Sequence, residues 1–348
     1  MHPPVTPVAD ANPDTRAQLL ALINANWTTQ ALASAARLRL CEHLAVQPMS
    51  LDDLAAACDC QALALQRLLR ALATLDVVIE ASDGAYALGP LGVHLMSDRP
   101  GGLGPWAEMC GTSSWRVWER LFDCVRTGRS VRELEGGRAG LSHLDADPVT
   151  AALFHRAMAA ISHSVANAVA AALDLAQAKS VLDIGGGAGE LLSVLLQAHA
   201  HLRGVLLERP HAIDAARARL QEIGVVDRCT LIGGDFFESI PDGSDVLLLK
   251  SILHDWDDGH CQKILRRCRQ AMRRHAKLAV IERLMPEKPA SSAADRAIAR
   301  SDLNMLVGPG GQERTRVSYA ELLARCDLRL SAVTQLVDHY SLVEAVAS

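Results

Sequence analysis

Long apolar runs, aromatic side chains and an excess of positive charge are all scarce in this chain, and each shortage removes a class of function. None of its 348 residues falls in the roughly eighteen uninterrupted apolar positions that span a bilayer. The opening MHPPVTPVADANPD has no basic segment followed by an apolar one, so the protein is read as soluble, unexported and cytoplasmic, with no membrane partner. Lysine and arginine total 35 against 40 acidic residues, a net charge of −5 with histidine neutral. That is the wrong sign for a surface built to neutralise phosphates, and nucleic acid is a poor partner. Nine cysteines are scattered, and the tight pair Cys58 and Cys60 has no second cluster to complete a zinc site. Free thiols and no metal are expected. Aromatics make up only 3% of the residues, so the 49% that are apolar are mostly Ala, Leu and Val, a helix-favouring mixture.

Periodicity divides what is present. From Asp14 to about Val46, Leu19, Leu22, Ile23, Trp27, Ala31, Leu32, Ala35 and Leu38 recur at three and four, which predicts one long amphipathic helix. Ser50 caps a helix to about Ala57, and Gln61 to Leu75 makes another. Val77-Val78-Ile79-Glu80 and Tyr86-Ala87-Leu88 flank Asp83-Gly84 as a hairpin. Helix, turn, helix and hairpin form a winged-helix-like arrangement, which raises the alternative of a DNA-binding regulator. Its second helix carries only Arg67 and Arg70, and its wing turn carries an acid, so a structural or dimerising role is favoured. Between Pro90 and Glu135 lies more helix, with Trp106, Trp115 and Trp118, ending in the loop Glu135-Gly136-Gly137-Arg138, read as a hinge or lid. A long helix from Pro148 to Leu173 follows, with Leu153, Phe154, Ala157, Met158, Ile161 and Val165 on one face.

From Lys179 the pattern alternates short apolar strands with helices. Strands are predicted at residues 181–184, 203–207, 229–232, 245–249 and 277–281, with helices at 190–198, 212–223 and 257–272 between them. Such alternation specifies a parallel, doubly wound α/β sheet, in which ligands bind beyond the carboxyl ends of the strands.

Those ends carry the chemistry. Asp183-Ile184-Gly185-Gly186-Gly187-Ala188-Gly189-Glu190 lets backbone pass close to a ligand at a helix start, but Glu190 stands where a dinucleotide fingerprint needs its third glycine. Glu208 ends the second strand, where a carboxylate can accept both hydroxyls of a ribose. Asp235-Phe236-Phe237 follows the third, an acid beside aromatic surface, suited to a purine. After the fourth come Lys250-Ser251-Ile252-Leu253-His254-Asp255-Trp256, placing His254 as a candidate general base. Glu282 ends the fifth strand, and Glu313 lies in the loop Gly310-Gly311-Gln312-Glu313-Arg314-Thr315. Either acid can support an imidazolium.

These motifs resemble the class I S-adenosylmethionine-dependent small-molecule O-methyltransferases, the family of caffeate, acetylserotonin and bacterial polyketide methyltransferases. The likeness spans nearly the whole chain. Its most specific parts are Leu249 to Trp256 and Gly310 to Thr315. It implies a helical, winged-helix-like dimerisation domain over residues 1–105, a helical linker or substrate cap over 106–175, and a Rossmann-like catalytic domain over 176–348. It makes His254 the base, with Glu282, Glu313 and Asp255 beside it. Gly185 and Gly187 would pass the methionine part of the cofactor, Glu208 would hold its ribose, and Asp235 and Phe236 its adenine. Lys250, Ser162 and Trp256 would complete the cofactor pocket, while Phe154, Met158 and Met305 would clasp a flat acceptor. Two positions depart from plant members. Glu208 replaces a usual Asp, and Leu306-Val307-Gly308-Pro309-Gly310 lacks the plant His-Asn pair, so plant acceptors are not carried over. The implied reaction moves a methyl group to a hydroxyl of a small aromatic secondary metabolite, in a homodimer, releasing S-adenosylhomocysteine. Methylation of a heteroaromatic nitrogen would use the same pocket, and drift to hydroxylation is countered by the presence of His254 and both glutamates.

Overall fold

The computed structural model describes residues 13–348 apart from 138, 142–143 and 145–146, so Arg138 of the expected lid loop lies outside the described residues. The chain divides into two compact units, one ending at Thr112 and the other running from Ser113 to Ser348.

In the first unit the expected single helix is broken. Pro13–Arg37 and Leu40–Val46 are separate helices because Arg39 takes a left-handed φ of 52°, which ends the first helical run and turns the chain. The guanidinium of Arg39 is tied at 3.0 Å to Asp98. Leu51–Ala57 starts at Ser50, whose hydroxyl accepts the Asp53 N–H at 3.2 Å. Ala62–Ala73 starts at Gln61 and buries Leu65, Leu69 and Leu72 along one face. Strands β1 (Val78–Glu80) and β2 (Tyr86–Leu88) pair antiparallel as expected. Leu40, Leu44, Leu54, Val77 and Tyr86 close the core of this unit. Leu19, Leu22, Ile23 and Trp27 on the first helix stay exposed, Trp27 by 68%. Among the described residues no helix is long and apolar enough to cross a membrane.

The second unit opens with short helices and the long helix Pro148–Ala172, capped by Asp147, whose carboxylate accepts the Thr150 N–H at 3.1 Å. The sheet follows: β3 (Ser180–Ile184), β4 (Arg203–Glu208), β5 (Cys229–Gly233), β6 (Val246–Lys250), β7 (Lys277–Met285), β8 (Arg314–Thr315), β9 (Leu328–Gln335) and β10 (Tyr340–Ala347). Strands β3 to β7 are parallel, in the order β5-β4-β3-β6-β7. The expected all-parallel sheet is corrected at one edge, where β10 runs antiparallel to both β7 and β9. Asp338 and His339 join that hairpin with φ of 52° and 64°, the twist a tight hairpin turn requires. β7 continues past Ile281 because Arg283 pairs with Tyr340, and Leu284 and Met285 pair with β8.

Strand side chains alternate between two cores. Val181, Val246, Leu248 and Ile281 face Leu192, Leu195, Leu220 and Val169. Leu182, Leu247, Leu249 and Val280 face Ile264, Leu265 and Leu323. The apolar faces of both layers therefore hold the central strands fixed, and their carboxyl ends serve as rigid mounts. The chain runs outward from β3 to β5 and returns to β6 on the other side of β3. The loops after β3 and β6 thus flank a topological switch point, where open α/β sheets form a crevice.

Candidate active site

The glycine loop and the histidine turn meet across that crevice. Gly185 adopts φ 69°, and a Cβ there would lie 2.5 Å from Ile252 Cδ1 and 3.6 Å from Phe236 Cε1, so only glycine lets the two loops approach. Gly187, φ 56°, has open space where a side chain would be. Its N–H donates to Glu208 Oε2 at 2.8 Å, while the Arg209 N–H donates to Oε1 at 2.7 Å. Arg209 also reaches Asp235 at 3.3 Å, whose other oxygen accepts the Phe237 N–H at 2.8 Å. Gly187, Glu208 and Asp235 are thereby brought together. An open glycine face beside one acid, with a second acid and Phe236 close by, offers hydrogen-bond acceptors and aromatic surface to a ligand in the crevice. An ionised carboxylate offers about four acceptor sites and keeps some free beyond its backbone bonds. The rings of Phe237 and Trp256 meet edge to face at 4.7 Å, and Gly140 lies so near the indole that a Cβ would fall 2.5 Å from it.

His254 sits on a short 3₁₀ turn, Leu253–Asp255, just past β6. Ser251, before it, takes a left-handed φ of 53°, an unfavourable conformation for a residue with a side chain, at the point where the chain leaves the strand. Glu282, fully buried and lying within β7 rather than at its end as expected, because the strand runs on to Met285, holds the turn from below. Its Oε1 accepts the N–H groups of Ile252, Leu253 and His254 at 3.0, 2.9 and 3.3 Å. Arg314 holds the other side, donating to the carbonyls of Leu253 and Trp256 at 2.8 and 2.7 Å and pairing with Asp258 at 2.8 Å. Both ends of the turn's backbone are satisfied, so the imidazole is fixed in place.

The ring's Nδ1 lies 3.2 Å from Glu313 Oε1 and 3.3 Å from Glu282 Oε2. Its Nε2 has Asp255 Oδ1 at 3.6 Å, beyond hydrogen-bond reach. Burial disfavours the imidazolium, but Glu282, Glu313 and Asp255 outweigh it and hold the His254 pKa well above the usual histidine value. Burial pushes Asp255 up to about 7, aided by Glu282 and Glu313 and opposed by His254 and Lys250. Burial likewise raises Glu282, whereas His254 brings Glu313 below the ordinary carboxylate range against its own burial. Among the described residues, His254, Glu282 and Glu313 are the group of ligand-type atoms that gathers within 4.8 Å.

The remaining expected residues are placed less closely. Lys250 reaches Ser251 Oγ at 3.3 Å and lies 5.4 Å from the Tyr340 ring. Ser162 is buried, with its hydroxyl donating to the Met158 carbonyl at 2.5 Å within its own helix. Phe154 meets the ring of His155, and His155 meets that of His211, which puts this turn of the helix near Glu208. Met305 is buried on the helix Ala293–Val307, and its carbonyl accepts the N–H of Gly310 and of Gly311, anchoring the Glu313 loop. Three features escaped sequence reasoning: Ser301, which bonds Glu313; the His155 and His211 pair; and the buried carboxyl of Asp183, pushed by burial up to about 7. Only Asp183 lay inside a quoted motif.

Comparison with known proteins adds independent findings. Residues 118–328 match the O-methyltransferase domain family, and residues 20–98 match the O-methyltransferase dimerisation domain. A phenazine O-methyltransferase of Lysobacter antibioticus is 38% identical over 327 residues, covering 94% of this chain and 95% of that one. The crystal structure of LaPhzM superposes with a TM-score of 0.90 at 37% identity, covering 96% of this chain and 99% of the other. The methyltransferase NcsB1 of neocarzinostatin biosynthesis, solved with S-adenosylmethionine and a hydroxymethylnaphthoic acid, gives 0.75 at 32% identity, covering 92% and 96%. The chain belongs to the S-adenosylmethionine-dependent O-methyltransferases, and it carries the O-methyltransferase dimerisation domain.

Proposed function

We propose that this enzyme methylates a hydroxyl group on a flat, fused aromatic metabolite, with Nε2 of His254 as the general base. The observation that supports this best is the direction of the imidazole: Nδ1 is committed to Glu313 and Glu282, which leaves Nε2 for the acceptor. When bound, S-adenosylmethionine supplies an electrophilic methyl group, so the chain has only to position the acceptor and receive its proton. The acceptor O–H bond breaks toward Nε2 as the new O–CH₃ bond forms. The Nδ1–H remains against Glu313, so the cation formed is charge-compensated. Orientation can supply up to about 7–11 kcal/mol. A positioned base adds roughly 10²–10⁴-fold, and a phenol of pKa near ~10 needs one at neutral pH.

In this reading Gly185 and Gly187 line the methionine portion, Glu208 takes the ribose hydroxyls, and Asp235 and Phe236 receive the adenine. Lys250, Ser162 and Trp256 complete that pocket. Phe154, Met158 and Met305 bracket the acceptor, with residues 106–175 as its cap. One relative is a phenazine O-methyltransferase and another is solved with a naphthoic acid, which favours a fused aromatic acceptor here. We assign no metal, because the imidazole, once it has taken the acceptor's proton, is itself the cation that the two carboxylates facing its Nδ1 compensate. The exposed stripe Leu19, Leu22, Ile23 and Trp27 would be covered by a second copy, making a cytoplasmic homodimer whose helix-turn-helix unit is winged-helix-like in form and does not bind DNA.

The test is incubation with S-adenosylmethionine and a panel of hydroxylated phenazines and naphthoic acids, followed by mass spectrometry. A methyl ether whose formation is lost in His254→Gln supports the proposal. A methylated ring nitrogen or a hydroxylated product contradicts it.

A further inference from the structure

We propose that Ser301 is a positioning residue for the base, its hydroxyl holding the Glu313 carboxylate and setting the pH at which His254 becomes free to accept a proton. The inference rests on His254 being that base.

Ser301 lies on the helix Ala293–Val307, one turn before Met305. Its Oγ donates to Glu313 Oε1 at 2.7 Å, and the same oxygen faces His254 Nδ1 at 3.2 Å. One carboxylate oxygen thus serves two donors, and the hydroxyl makes the shorter bond. The neighbouring Asp302 accepts the Glu313 backbone N–H at 2.8 Å, so consecutive residues of one helix hold both the main chain and the side chain of Glu313. The rest of the loop is tied down as well. Gly310 and Gly311 donate to the Met305 carbonyl at 2.8 and 3.2 Å, and Gln312 donates to the His254 carbonyl at 2.9 Å. The other oxygen of Glu313 is buried without a hydrogen-bond partner, so Ser301 is what selects the oxygen that meets the ring.

The sign follows from charge. Carboxylate density drawn into the Ser301 bond is withheld from the imidazolium, so removing the hydroxyl strengthens the hold of Glu313 on the Nδ1 proton and raises the proton affinity of the ring. The other groups facing this cluster remain in both cases. They are Glu282 and Arg283 on β7, Asp255 on the turn itself, Lys250 on β6 and Tyr340 on β10. Asp302, Arg314 and Tyr319 complete the set.

Because the acceptor is unidentified, the experiment reads the ring directly. Protein labelled with ¹⁵N-histidine is titrated by NMR, and the His254 signal is assigned among the 13 histidines by its absence in His254→Gln. Ser301→Ala and Ser301→Val should titrate about 0.5–1 pH unit above the wild type, the size of one hydrogen bond's effect. Ser301→Thr, which has the shape of Val but keeps the hydroxyl, should return to the wild-type midpoint. Equal midpoints in all four proteins would overturn the proposal, as would a shift in Thr equal to that in Val, which would mark a packing effect. Turnover of His254→Gln is measured alongside, on an acceptor found with the hydroxylated phenazine and naphthoic acid panel. Retained turnover there would defeat the base reading itself, whatever the titrations show.

Discussion

Glu282 holds His254 twice: its Oε1 accepts the backbone N–H at 3.3 Å, and its Oε2 lies 3.3 Å from Nδ1 of the same residue. One buried carboxylate therefore fixes where the turn sits and how strongly its ring binds a proton. These two roles separate by mutation. Glu282→Gln keeps an oxygen for the backbone donors but removes the charge, so the acid limb of the pH–rate profile should move to lower pH while urea stability stays near wild type. Glu282→Ala strands three buried N–H groups and should lose roughly 2–5 kcal/mol by urea unfolding.

Asp183 predicts a pH dependence of stability. Burial raises its folded pKa from 3.8 to about 7, so between those values the folded state binds more protons than the unfolded one and stability falls as pH rises. Asp183→Asn removes that penalty. Its stability relative to wild type should grow by on the order of 2–3 kcal/mol between pH 5 and pH 7, measured by denaturant midpoints. A constant difference would show that this carboxyl ionises normally. His254 has the same slope for the opposite chemical reason. Its raised pKa contributes stability that is complete below the unfolded histidine pKa and is lost as pH rises through the folded one.

Glu208→Ala should weaken S-adenosylmethionine binding about 10- to 100-fold by calorimetry, the usual cost of losing hydrogen bonds to a charged group. Turnover at saturating cofactor should change less. Unchanged affinity would remove Glu208 from the ribose.

Exhaustive chelation, checked by elemental analysis of the protein, should leave turnover within about twofold of the untreated enzyme, because a protonatable ring occupies the position between the carboxylates. Loss of activity restored by a divalent cation would reassign His254, Glu282 and Glu313.

What the sequence revealed followed the range of the interactions. Short continuous apolar runs placed β3 to β7 because each strand had to bury both faces, and Ser50 marked a helix start through its local cap. The motif residues after β3 and β6 fell at the crevice because strand order, not local chemistry, sets where strand ends meet. What stayed hidden depended on distant partners. The break at Arg39 is tied to Asp98, and the β9–β10 hairpin is held by pairing with β7. The clamp on the His254 turn joins Glu282 and Arg314, far apart in sequence. Ser301 carried no signal, since a serine inside an amphipathic helix reads as solvent-facing until the loop that packs on it is known.

The most direct test of the central claim follows transfer of a deuterated methyl group from S-adenosylmethionine to an aromatic hydroxyl in a single turnover, in wild type and His254→Gln, with cofactor affinity measured on the same samples. The account predicts equal affinity and a rate at least about 100-fold lower in the variant. Equal rates would contradict it.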